Sequence, residues 1–435
     1  MKKGLGVLLI GVLLPYLVMA GESLTLDQCV EIALKHNPQL AQTRFSKDIA
    51  GQDVIVAVSN FLPSARFGIS YNHSEWDIDN YVNPQTNELV SNTVDWNYGS
   101  NLQVEQTLFN GGYNFFNLKN YIARKRSANF DLEDTRQQII YTVKERYYNL
   151  LKGEKLLQVS QEALKSSEES FKLADAKYQV GTAPKSEMLQ FKVELENAKL
   201  ALIEAQHNVS LARTSLNHVL GLEMEQEIAI VDDLELPEVD ISFKDAVQSG
   251  IENHPLVLRS TANVDAARAT VGLAVSQYLP SVGAWYNYSW QNRQLEEIKH
   301  MTDRDYSWSA GVSLSIPIFQ GGARFANLGK ARLNHKMNKE ALNYNRREVD
   351  LQVKQAYYTV QQAKKKIAVT EDAEAAADET LRLNKEKYNL GAGTMLDLIN
   401  AQSSYTEARS NRIQALYDYK FAVARLQRAM GQLTQ

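Results

Sequence analysis

The chain repeats itself, and no other feature limits its possible folds so strongly. Shifted by 217 positions, Leu24, Leu26, Val30, Leu34 and Pro38 fall on Ile241, Phe243, Val247, Ile251 and Pro255. The same shift lays Phe61-Leu62-Pro63-Ser64 on Tyr278-Leu279-Pro280-Ser281. From Leu108-Phe109-Asn110-Gly111-Gly112 onward the shift becomes 210, which reaches Ile318-Phe319-Gln320-Gly321-Gly322. It then carries Tyr147-Tyr148 to Tyr357-Tyr358, Tyr178 to Tyr388, Gly181 to Gly391 and Gly221 to Gly431. The difference of seven residues lies in one loop between Pro63 and Leu108. Two copies of one unit, 21–222 and 241–435, therefore make up the chain. Between them, residues 223–240 hold eight acids, no base and Pro237, the composition of a solvated connector.

The first 20 residues stand outside the repeat. Lys2 and Lys3 precede an apolar run from Leu5 to Leu14, and Val18-Met19-Ala20 offers small residues for cleavage, which is the pattern of a secretory signal. No later apolar run is long enough for a transmembrane helix, so an exported chain of this kind crosses a membrane only by strands. A net charge of −4 argues against nucleic acid as a partner. The single Cys29 has no intramolecular partner, and Leu26-Asp27-Gln28 lacks the small residues expected before a lipidated cysteine. With Leu26, Val30 and Leu34 around it, Cys29 reads as a core position on a short helix.

Each copy carries two segments of sustained period-two alternation. Ala65, Phe67, Ile69 and Tyr71 alternate with polar residues, as do Val94, Trp96, Tyr98, Leu102, Val104 and Leu108. In the second copy Val282, Ala284, Tyr286, Tyr288 and Trp290 alternate with Ser281, Gly283, Asn287 and Ser289, and Tyr306, Trp308, Ala310, Val312, Leu314, Ile316 and Ile318 with Ser307, Ser309, Gly311, Ser313 and Ser315. The expected hairpins span about 64–108 and 281–318. Strands of this length with Tyr and Trp on the apolar face suit a membrane barrel, although a water-exposed sheet over a core remains an alternative. Four strands are too few to close a barrel, and open edges are not tolerated in lipid. Two chains sharing a barrel would give about eight strands and three about twelve.

After the paired glycines the period changes. Val143, Leu150, Leu157, Leu164, Phe171 and Tyr178 recur at heptad spacing, with small residues at Gly153, Ser160, Ser167 and Ala174. Val353, Val360, Ile367, Leu381 and Tyr388 repeat the arrangement with Ala356, Ala363, Thr370 and Ala377. Such knobs beside small residues predict long antiparallel coiled-coil hairpins over 113–220 and 323–430. A helix of that size is roughly 100 Å long, far more than a bilayer. Gly181 and Gly391 are expected to end the outgoing helices, and Pro184 to sit in the first turn of its return helix. Gly111, Gly112, Gly321 and Gly322 read as hinges between strand and helix that permit the unusual dihedrals of that turn without Cβ clashes.

The duplication, the signal, the paired "FLPS" and "YLPS", the hinges, and the turns "YQVGT" and "YNLGAG" together resemble the TolC or outer-membrane efflux protein family over residues 24–431. The resemblance implies a mainly α fold with a membrane β-barrel. Three chains would supply a 12-stranded barrel and an α-helical tunnel across the periplasm, with 223–240 as an equatorial connector. It implies a passive exit channel of a tripartite pump or type I secretion system, a homotrimer set in outer-membrane lipid. A periplasmic adaptor and an energised inner-membrane transporter would be its partners, and no cofactor, metal or catalytic group would be needed. Within that likeness Asp397 and Asn400 fall at the periplasmic aperture, and Tyr388 with Glu187 at a resting-state link. Gly393 stands where the family's best-known member has an arginine of a second link. Adaptor contacts would involve Gly181, Thr182, Pro184, Ser186, Met188, Leu189, Gly391, Thr394 and Leu396. The rival reading is a periplasmic structural coiled-coil protein without channel activity. His36-Asn37-Pro38 and Asn253-His254-Pro255 read as helix ends rather than metal ligands, and no nucleophile elbow or phosphate loop occurs.

Overall fold

The computed structural model describes residues 23–76, 81–82, 84–87, 89–90, 93–232 and 236–433. The secretory signal read over 1–20, and residues 233–235 of the connector, lie outside the described residues. Each copy runs through two helices, a pair of strands and two long helices. The first comprises α1 (Leu26–His36), α2 (Pro38–Ser59), β1 (Ser64–Trp76), a small ribbon β2 (Tyr81–Val82) with β3 (Leu89–Val90), β4 (Thr93–Asn110), α3 (Tyr113–Gln179) and α4 (Lys185–Leu220). The second comprises α5 (Phe243–Asn253), α6 (Pro255–Ser276), β5 (Ser281–Asn292), a short 3-10 helix (Leu295–His300), β6 (Tyr306–Ser315), α7 (Ala323–Asn389) and α8 (Met395–Ala429). The chain divides into two compact units, 43–132 with 255–347, and 1–42 with 133–254 and 348–435. Helices α3 and α7 contribute to both.

The first unit holds one antiparallel sheet of order β1-β4-β5-β6. Direct pairs Phe67↔Leu102, Leu102↔Tyr288 and Tyr288↔Trp308 set the large apolar side chains on one face, as the alternation demands. Tyr71 with Trp96, and Tyr288 with Tyr306, stack along that face. Strand β4 runs past Leu108 to Asn110, because the ladder shifts register between Thr107 and Phe109. Leu108 is the extra residue of a bulge, and the bulge breaks the alternation that had suggested a strand end there. Strand β6 stops at Ser315, three residues before the expected Ile318. Pro317 has no N–H for the ladder, so the apolar alternation outlasts the strand.

Helix α6 lies against the start of α3. Asn120 donates its amide to the Ala266 carbonyl at 2.7 Å, and Ser127 donates to Asn263 at 2.8 Å. Gly272 gives room to the Phe116 ring, which a Cβ there would meet at 2.3 Å. On the other side Asn345 of α7 donates to Ser260 at 2.7 Å. The repeat counterpart of α6 has no such cover: Phe45 of α2 is 64% exposed, whereas Ala262, at the matching position, is 1% exposed. Ile49 and Val56 follow Phe45 on the same bare face.

The second unit contains the α3–α4 and α7–α8 hairpins. Val143, Leu150, Val353 and Val360 are buried in their seams, with the small residues Ala356 and Ala363. Cys29 is buried on α1, and burial pushes its thiol up to about 12. The connector is less solvated than its acids suggest. Leu24 forms a parallel bridge with Ile230, donating to the Ala229 carbonyl at 2.8 Å and accepting from Val231 at 3.1 Å. Asn217 donates to the carbonyls of Met224 and Gln226, and Tyr419 to that of Pro237. Ile228 is buried. Backbone bonding and one apolar anchor, which composition does not register, hold this segment against the helices.

All four hinge glycines take positive φ: 65° and 82° at Gly111 and Gly112, 58° and 80° at Gly321 and Gly322. Only the first copy adds close approach, since a Cβ on Gly111 would lie 2.5 Å from the Ser276 carbonyl while one on Gly321 meets nothing within 4 Å. Gly321→Ala should therefore cost roughly 1–2 kcal/mol for the backbone conformation alone. Gly111→Ala should add an overpacking cost of about 1–3 kcal/mol. Unfolding of the detergent-solubilised variants, followed by circular dichroism, checks that order.

Candidate functional site: the tips of the helical hairpins

Both outgoing helices stop in the same way. Gly181 takes φ 76° and Gly391 φ 75°. Thr182 donates to the Lys177 carbonyl and Gly181 to that of Tyr178. In the second copy Ala392 donates to the Lys387 carbonyl and Gly391 to that of Tyr388. These paired bonds use the last helical carbonyls and turn the chain sharply. The residues just before the glycines are left bare, with Val180 74% and Leu390 83% exposed.

The return helices begin differently. Thr394 caps α8: its hydroxyl accepts from the Asp397 N–H at 3.2 Å and bonds the Asp397 carboxylate at 2.6 Å. Asp397 in turn accepts from the Thr394 N–H at 3.4 Å, completing a capping box. These Thr394 contacts hold the Asp397 carboxyl below the usual aspartate range, with Lys387 adding a smaller pull, so it stays ionised at neutral pH. In the first copy Pro184 is the N-cap, with φ −74° and ψ 154°, and the helix begins at Lys185. The expectation of Pro184 inside the first turn is thereby corrected. A proline cap offers no side-chain acceptor, and Glu187, the counterpart of Asp397, is left free for other bonds.

Glu187 uses that freedom to join the two hairpins. The Tyr388 hydroxyl donates to Glu187 Oε1 at 2.7 Å, linking the end of α7 to the start of α4. Tyr388 is 3% exposed and packs in an apolar cluster with Ala174, Phe191, Leu398 and Ile399. Burial first, and the Glu187 carboxylate second, raise its phenol well above the usual value, which keeps the hydroxyl protonated as a donor. The rings of Phe191 and Tyr388 sit 5.8 Å apart. Farther from the tips, Arg409 of α8 bonds both carboxylate oxygens of Glu162 on α3, and Gln402 donates to Ser166 and Ser170 at 2.9 and 3.0 Å.

The structure thus brings Tyr388 and Glu187 into contact and places Asp397 and Asn400, both exposed, on the first turns of α8. Gly181, Thr182, Pro184, Ser186, Leu189, Gly391, Thr394 and Leu396 are exposed around the two turns, and Met188 is half-buried. The hinge residues Gly111, Gly112, Gly321 and Gly322 belong to the other unit. Sequence reasoning missed Lys177, whose Nζ lies 3.9 Å from the centre of the Tyr388 ring, and the Arg409–Glu162 pair. Both join helices far apart in sequence, and no local pattern announces them.

The family model described as "Outer membrane efflux protein" matches residues 29–222 and 246–432. The Outer membrane efflux protein BepC of Brucella suis is 26% identical over 439 aligned positions, covering 97% of this chain and 89% of its own length. Outer membrane protein TolC of Vibrio cholerae is 20% identical, with 93% of this chain and 90% of its own length covered. Among solved structures, the Campylobacter jejuni CmeC outer membrane channel superposes with a TM-score of 0.83 at 19% identity, over 94% of this chain and 87% of that one.

The Asp397 box makes a testable pH statement. A carboxyl whose pKa is depressed on folding stabilises the fold above its unfolded value, near 3.9 for aspartate, and that support is lost as pH falls through the folded value. Amide exchange at Leu396–Ile399, corrected for intrinsic rates, should stay constant from neutral pH down to about 5 and quicken only in stronger acid. Thr394→Ala should quicken it at every pH.

Proposed function

Because the chain belongs to the outer membrane efflux protein family, we propose that three copies form the passive outer-membrane exit duct of a tripartite efflux or type I secretion assembly. The observation that carries this reading is a repeat left half satisfied. Among the described residues, edge strands β1 and β6 each pair on one side only and present one open row of backbone groups. No lipid supplies partners for such groups, so β1 of one copy must pair with β6 of the next. The same step along the repeat covers α2: α6 is already enclosed by α3 and α7, and the bare Phe45–Ile49–Val56 face of α2 needs the equivalent cover from another copy. The exposed Leu333, Met337 and Tyr344 of α7 form a complementary apolar stripe. A head-to-tail contact of this kind closes into a ring where each step turns by a whole fraction of a circle, here one third. Three copies give twelve strands and six helical hairpins, hence an approximately sixfold tube.

The barrel sits in outer-membrane lipid, and the helices lie in the periplasm. No described helix is long and apolar enough to cross a membrane. The exposed tips, with Val180, Leu189, Leu390 and Leu396, meet a periplasmic adaptor, which couples the duct to an energised inner-membrane transporter. The chain supplies a path and no chemistry. The Tyr388–Glu187 bond holds the resting aperture narrow. Asp397, ionised and exposed, lines that aperture with Asn400, and three copies of it form a ring that attracts cations.

Purified protein in planar bilayers tests this reading. The parent chain should form cation-selective pores blocked by multivalent cations from the helical side. Asp397→Ala should weaken that block severalfold and lower cation preference. A protein that inserts without conducting would refute the duct, and unchanged selectivity in the variant would remove Asp397 from the constriction.

A further inference from the structure

The tip of α7 is held from two sides, and only one of them is the Tyr388–Glu187 bond. Lys177, in the last turn of α3, places its Nζ 3.9 Å from the centre of the Tyr388 ring and 3.3 Å from the Tyr388 carbonyl oxygen. Three attractions converge on this one ammonium group. The ring face is electron-rich, and the contact is strongest where water is excluded, as it is around a ring with Tyr388 only 3% exposed. The carbonyl belongs to the final turn of α7, whose helix dipole favours a cation at that end. The hydrogen bond is charge-assisted, hence stronger than a neutral one. The Lys177 backbone is held in the turn, because its carbonyl accepts from Thr182 N, from the Thr182 hydroxyl at 2.9 Å and from Ala183 N. Its stem therefore projects from the rigid turn of α3 instead of from a mobile surface.

We propose that Lys177 is a second fastener of the resting aperture, tying α7 to α3 independently of the bond that ties α7 to α4. Lys177 grips the ring face and the backbone of Tyr388, and Glu187 grips its hydroxyl. Loss of the hydroxyl leaves the Lys177 contacts in place, and loss of Lys177 leaves the hydroxyl bond in place. Outward movement of the α7–α8 hairpin has to break both. Contacts of this class shift a two-state equilibrium by roughly tenfold.

This rests on the reading of the chain as a gated duct, and single-channel recording on the full-length purified protein separates the two claims. Lys177→Met keeps most of the stem and removes the charge, Lys177→Arg keeps a cation that stacks on aromatic rings, and Tyr388→Phe removes only the hydroxyl. Lys177→Met should raise the resting conductance severalfold, Lys177→Arg should restore it towards the parent value, and the Lys177→Met/Tyr388→Phe double variant should open further than either single one. Unfolding midpoints of all variants should stay close to the parent, which distinguishes a fastener from a general stabiliser. A conducting parent whose conductance is unchanged by Lys177→Met, or a double variant no more open than Tyr388→Phe alone, overturns the fastener and leaves the duct intact. A parent without conductance overturns both.

Discussion

Everything in this molecule answers to the hydrogen-bonding demand of two strand edges. A sheet of order β1-β4-β5-β6 pairs its inner strands on both sides and, among the described residues, its edge strands β1 and β6 on one side only. In water such edges are a hazard, and in lipid they are forbidden. One chain brings four strands to this sheet, too few to close a barrel on itself, and the proposed trimer supplies the closure from further copies. The bare faces of α2 and α7 tell the same story in apolar surface. In the proposed trimer, what is bare at one side of a protomer is covered by the equally bare other side of the next.

The duplication makes this possible with one gene-length of design. Two copies of one unit per chain give, in the proposed trimer, quasi-equivalent interfaces within a protomer and between protomers. The two copies depart from equivalence at the starts of their return helices. Position 184 is proline and position 394 threonine, and that single difference decides which acid is spent on capping its own helix. Asp397 is held by Thr394, while Glu187 has no cap to serve and bonds Tyr388 of the other hairpin. A change in local helix-start chemistry thus becomes a link between two hairpins.

Much of the fold could be read from residues alone. Alternation located the strands, heptads the hairpins, and the glycine pairs both the hinges and the tips, because each of these depends on local period or on a backbone angle. The resemblance singled out Glu187 and Tyr388, which the structure places 2.7 Å apart. Other features escaped for a physical reason. The bulge at Leu108 depends on the partner strand, and the early end of β6 on where the ladder meets Pro317. The acidic connector is strapped down by backbone bonds that composition does not encode. Lys177 meets Tyr388 across 211 residues of sequence, a contact that only the packed hairpins create.

The most direct test of the central claim is covalent pairing of the two edges. In a Cys29→Ala background, cysteines at Arg66, Gly68 or Ser70 of β1 are combined in turn with cysteines at Ser307, Ser309 or Ser313 of β6, and the protein is oxidised in native membranes. Edge-to-edge closure predicts that at least one combination gives a crosslinked ladder that ends at three copies. A ladder that continues beyond three, or the absence of crosslinks in every combination, would contradict it.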